Sequence, residues 1–94
     1  MLPHPNGVIV HARAVIGDDC LIMQQVTIGQ LSDIDAPVIG SRVYIGAGAK
    51  ILGKVVIGDG ARIGANAVVL CDVRANWTAV GIPARLIAPK SGQT

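Results

Sequence analysis

The 94 residues include no glutamate and no phenylalanine, three lysines, and two aromatic side chains, Tyr44 and Trp77. Without Glu, and with so little Lys, the chain lacks the material of an amphipathic helical bundle. Without aromatics it lacks the large side chains that fill an ordinary β-sandwich. Charge is sparse too: 15% of residues are charged and the formal net charge is +2, too weak a basic balance to mark a nucleic-acid binder. No uninterrupted apolar run approaches the roughly 20 residues that a membrane-spanning helix needs. Cys20 and Cys71 have no CxxC or CxxH spacing, which fits reduced thiols filling small positions better than a disulfide framework or a zinc site. Met1-Leu2-Pro3-His4-Pro5 carries neither the basic segment nor the apolar core of a secretory signal, so a cytoplasmic location is expected.

What is abundant is small or β-branched. Val, Ile, Ala and Gly occur 12 times each and fill 48 of the 94 positions. A mean hydropathy of +0.55 is too high for a disordered chain, and the length suits one small domain. These residues are also periodic. From Val10 a step of six leads to Ile16, Ile22 and Ile28; after a gap of eleven the series resumes as Ile39, Ile45, Ile51, Ile57, Ile63 and Val69. Gly follows six of these ten positions, and the residue two before is small or modest in size, as at Ala14, Cys20, Val26, Pro37, Val43, Ala49, Val55, Ala61 and Ala67.

A period of six fits neither a 3.6-residue helix nor simple alternation. It suits a chain that runs straight briefly, turns, and repeats, with the β-branched residue and the small residue two before it both facing inward. Three such edges close a triangular coil of 18 residues, and stacked coils make a parallel β-helix. The expected fold is therefore all-β, a β-helix of about three coils spanning 1–94. Glycine is expected at the corners because the backbone leaves ordinary β geometry there. The register breaks once, so residues 30–36 are expected to project as a loop that carries function. Residues 70–87 are read as a terminal cap or return strand, and 88–94 as a frayed tail. A prism this short exposes much of its surface, which predicts an oligomer.

Three stretches carry a family resemblance: HPNGVIVHARAVIGDDCLIMQQVTIG at 4–29, VIGSRVYIGAGAKILGKVVIGDGARIGANAVV at 38–69, and VGIPARLI at 80–87. The chain resembles the hexapeptide-repeat acyltransferases, within them the serine O-acetyltransferase-like branch that includes acetyltransferases of polysaccharide biosynthesis. The resemblance implies a left-handed β-helix, against the usual right-handed crossover preference. It also implies a homotrimer with active sites between subunits, acetyl-CoA as co-substrate, and no metal.

Acetyl transfer needs a base for the attacking hydroxyl and donors for the oxyanion that forms. Histidine suits neutral pH, and the chain has two. His4 matches the family's catalytic histidine. It also falls six residues before Val10, where a buried aliphatic would otherwise stand. His11 occupies a corner position usually held by Gly and is a second candidate, near the acceptor. Asp33 and Asp35 in the projecting loop are either solvated, or orient His4, or contact the acceptor. For the donor, Ala47, Gly48 and Ala65 offer small residues on successive coils, against which an extended pantetheine arm would lie. Lys50, Arg62 and Arg85 would meet its phosphates.

Two departures concern the acceptor. Serine acetyltransferases place Asp directly before the catalytic His, where this chain has Pro3. They also carry an Arg-His pair ahead of a proline in the loop, where this chain has Asp35-Ala36 before Pro37. None of the 94 residues reads as the long helical region of those enzymes. A sugar or activated-sugar hydroxyl is thus at least as good an acceptor as L-serine. Two other functions compete: a β-helical zinc carbonic anhydrase, disfavoured because three histidines are needed, and a non-catalytic or truncated hexapeptide assembly module.

Overall fold

A computed structural model of the chain describes residues 7–10, 13–29 and 36–89. Twelve short strands follow one another: β1 (Ile9–Val10), β2 (Val15–Ile16), β3 (Leu21–Ile22), β4 (Thr27–Gly29), β5 (Val38–Ile39), β6 (Tyr44–Ile45), β7 (Lys50–Leu52), β8 (Val56–Ile57), β9 (Arg62–Ile63), β10 (Val68–Val69), β11 (Thr78–Val80) and β12 (Arg85–Ile87). Through β10 every third strand joins the same sheet, so the chain winds as a three-sided coil. The first face stacks β1-β4-β7-β10, the second β2-β5-β8, and the third β3-β6-β9-β11-β12. All neighbours are parallel except β12, which turns back antiparallel on β11.

The pairing explains the period. Lys50 lies beside Val68, and Tyr44 beside Arg62, each eighteen residues on. Val15 lies beside Val38, twenty-three residues on, because the connection between β4 and β5 is five residues longer than the repeat requires. Ile22, Ile28, Ile39, Ile45, Ile51, Ile57, Ile63 and Val69 stack inside at 2% exposure or less, a continuous aliphatic ladder. Each such side chain is worth on the order of 1.5–3 kcal/mol when buried. The small residues two before them, from Val26 to Ala67, are buried as well, because alternate strand residues share a face. Val10 and Ile16, in the first coil of the prism, are only half-buried.

Regular winding continues past Val69. Val73 bridges to Ile57 and Ala79 pairs with Ile63, both buried, so part of the 70–87 segment extends the coil before β12 returns. The partners here are sixteen residues apart, because the step from Val69 to the next inward residue is four rather than six. The Asp72 carboxylate accepts the Val56 N–H at 2.8 Å where a longer corner would have supplied a carbonyl.

The corner glycines also differ from expectation. Gly17, Gly40, Gly46, Gly58 and Gly64 are absent from the left-handed backbone region. They are glycine because the next coil stacks directly on them: a Cβ on Gly46 would lie 2.6 Å from the Ala65 nitrogen. The left-handed residue stands two places later, at Asp19, Arg42, Gly48, Gly60 and Asn66, and equally at Gln25 and Asn76, where Met23 and Arg74 hold the corner position. Each turn of these corners therefore reads as a stacking residue, a tip residue, and a left-handed residue.

Candidate functional site

Two of the three corners share this backbone path, and their tips differ chemically. Between the second and third faces the successive tips are Asp18, Ser41, Asp59 and Ala75. Ser41 Oγ accepts the Asp18 N–H at 3.1 Å, and Asp59 Oδ1 accepts the Ser41 N–H at 2.8 Å. The tip amides of Asp18 and Ser41 are thus satisfied by the side chain of the coil above, whereas among the described residues nothing accepts the N–H of Asp59, above which the tip is Ala75. Arg42 adds an exposed pair with Asp59 at 4.0 Å, a geometry that contributes little.

Between the third and first faces the tips are Gln24, Ala47 and Ala65. Alanine has no acceptor to offer. Among the described residues nothing accepts the N–H of Ala47 or of Ala65, while the Ala47 carbonyl takes the Asn66 N–H at 2.9 Å and holds the two rungs together. Gly48 follows at a φ of +75°, and its N–H donates to the Gln24 carbonyl at 3.0 Å. A Cβ on Gly48 would collide with the Asn66 side chain, so a small residue is required there twice over. The result is a column of bare backbone up one corner, with amide donors pointing to a half-buried rung at Ala47 and an exposed one at Ala65.

Charged candidates flank this column. Lys50 begins β7 on the first face, three residues after Ala47, and is exposed. Arg62 lies in β9 on the third face. Arg85 opens β12 opposite Val80, immediately before Gly81 at the top of the same corner, where the Gly81 carbonyl accepts the Val68 N–H at 3.0 Å. The structure thus brings Ala47, Gly48 and Ala65 into one column, with Lys50 on one flank and Arg62 and Arg85 on the other. His4, His11, Asp33 and Asp35 lie outside the described residues. Gln24 was not singled out from the sequence, although it holds the tip position two after Ile22; it forms the rung beneath Ala47. Among the described residues no cluster of three His, Cys, Asp or Glu could hold a metal, and no helix is long and apolar enough to cross a membrane.

Comparison with known proteins follows the same stretches. Residues 36–71 match the family model described as bacterial transferase hexapeptide (six repeats). Over 89 residues, 92% of the chain, it is 46% identical to a serine acetyltransferase of Synechococcus elongatus, of which it covers 36%. Soybean serine acetyltransferase complexed with serine superposes with a TM-score of 0.83 at 50% identity, over 86% of this chain and 35% of that one. A serine acetyltransferase in complex with CoA gives 0.82 at 47% identity, over 86% and 34%. The chain thus spans about a third of the length of each of these relatives.

Proposed function

Because this chain belongs to the hexapeptide-repeat acyltransferases, in their serine acetyltransferase-like branch, and its prism is accordingly a left-handed β-helix, we propose that it supplies the acyl-transfer unit of an acetyl-CoA-dependent O-acetyltransferase. The observation that carries this reading is the pair of tip amides at Ala47 and Ala65 that have no acceptor among the described residues. Pantetheine contains two amides in an extended arm. Laid along the column it would receive N–H donors from rungs one coil apart, about 5 Å, without displacing a protein hydrogen bond. Gly48 keeps side-chain atoms out of its path. Lys50 and Arg85, with Arg62, supply cations for the phosphates beyond the arm.

The acceptor is a small-molecule hydroxyl. Its oxygen attacks the thioester carbonyl, the new C–O bond forms, and the C–S bond breaks. The hydroxyl proton passes to the imidazole of His4, which then protonates the departing thiolate, so the base is regenerated in each turnover. His11, Asp33 and Asp35 are assigned to the acceptor side. Serine is the acceptor suggested by the relatives' names, and a sugar hydroxyl is favoured by Pro3 and by the loop's lack of an Arg-His pair. The working particle is a homotrimer with sites between subunits, located in the cytoplasm, consistent with two free thiols.

His4→Ala is expected to lower acetyl transfer by about two to four orders of magnitude while keeping coenzyme affinity. Unchanged turnover would remove His4 from the mechanism. The competing module reading is tested by melting the protein with CoA. A ligand at a hundred times its Kd adds about 2.7 kcal/mol to apparent stability, so a clear upward shift is expected and its absence favours the module. A thiol-release assay across serine, simple sugars and nucleotide sugars then identifies the acceptor.

A further inference from the structure

The corner of Ala47 and Ala65 carries one long tip side chain, at its foot. The Gly48 N–H donates to the Gln24 carbonyl at 3.0 Å and the Asn66 N–H to the Ala47 carbonyl at 2.9 Å, so Gln24, Ala47 and Ala65 form one stack. Ala47 and Ala65 end at Cβ. Gln24 is exposed, and its carboxamide makes no hydrogen bond with the described residues.

Charge along the column says which end of the coenzyme reaches that foot. Lys50 flanks the Ala47 rung, Arg62 the Ala65 rung, and Arg85 stands beside Gly81 above both. The strand residues flanking Gln24 are Leu21 and Thr27, neither of them charged. Phosphates therefore belong to the upper rungs and the acyl end to the foot. Length agrees. The two amide carbonyls of pantetheine are four bonds apart, about 5 Å when extended, which matches the spacing of adjacent coils. The thioester carbonyl follows five bonds past the lower amide, one further rung down and level with Gln24.

On the corner between the second and third faces, tip side chains run down towards the coil beneath: Ser41 Oγ reaches the Asp18 N–H at 3.1 Å, and Asp59 Oδ1 the Ser41 N–H at 2.8 Å. A side chain leaving the same backbone path at Gln24 runs along the line that an acyl chain would follow past the thioester. We propose that Gln24 sets the length of the acyl group, a specificity-determining residue that admits acetyl and excludes longer chains. Each methylene beyond acetyl has to displace the side chain or press apolar surface against its amide, which desolvates the amide without a new hydrogen bond. The assignment rests on the coenzyme path proposed above.

Calorimetric titration of the whole chain with CoA, acetyl-CoA and butyryl-CoA tests the gate without any acceptor. The wild type should bind butyryl-CoA about tenfold or more weakly than acetyl-CoA. Gln24→Ala extends the run of small tips and should narrow that gap to about threefold or less. Gln24→Met, of equal length, should preserve it. Equal affinities in the wild type, a full gap in Gln24→Ala, or a gap closed in both variants overturns the gate. Titration with CoA separates the two readings: saturable binding alongside any of those results removes the gate and leaves the coenzyme path, whereas a wild type that binds no CoA removes both.

Discussion

The two corners that flank the third face follow one backbone path to different ends. On the corner bearing Ser41 and Asp59, tip side chains satisfy the tip amides of the coil below. On the corner bearing Ala47 and Ala65 those amides have no acceptor among the described residues. The Gly stack beneath both is equally tight: a Cβ on Gly40 would lie 2.8 Å from the Asp59 nitrogen, and one on Gly46 2.6 Å from the Ala65 nitrogen. Geometry is therefore shared and hydrogen-bonding capacity is not. One corner is closed by its own side chains at Asp18 and Ser41, and the other, with no side-chain acceptor at Ala47 or Ala65, is left able to bind a chain of amides.

If the shared stack is structural, both corners should suffer equally from a methyl group. Gly40→Ala and Gly46→Ala are each expected to lose at least about 2 kcal/mol in denaturant melts, since backbone must move to make room. A large loss at one corner only would show that the two are not built alike. Ala65→Asp converts the open corner to the closed kind by offering a carboxylate to the Ala47 N–H, as Asp59 does for Ser41. Coenzyme Kd should rise about tenfold or more, equivalent to about 1.4 kcal/mol, with the melting temperature held or raised. Unchanged affinity would dissociate the open amide from binding. Asp59→Ala is the smallest expected effect: loss of about 1 kcal/mol of stability from the Ser41 N–H, with coenzyme affinity unaltered.

Much of this architecture was legible because one physical constraint recurs every six residues. Each inward Ile or Val had to be apolar, and each residue two before it had to be small enough for the interior of a three-sided coil. Val73 and Ala79 escaped the pattern because the shortened corner after Val69 shifts the register by two, and Asp72 supplies a side-chain oxygen in its place. The corner glycines were visible, but their reason was not: positive φ is a local property, whereas the demand at Gly46 comes from a residue nineteen positions away. The column of Ala47, Gly48 and Ala65 was found by motif, while its open amides depend on which side chain stacks above which tip. That relation exists only once the coils are in register. Arg42 and Asp59 likewise come together through stacking and not through sequence proximity.

The central claim is that coenzyme lies on the corner of Ala47 and Ala65, where no tip side chain closes the amide below it. Titrating CoA into isotopically labelled protein and following the backbone amides tests it directly. The Ala47 and Ala65 N–H resonances should move saturably, while those of Asp18 and Ser41 stay in place. Saturable binding that leaves Ala47 and Ala65 unmoved, or that moves both corners alike, would contradict it.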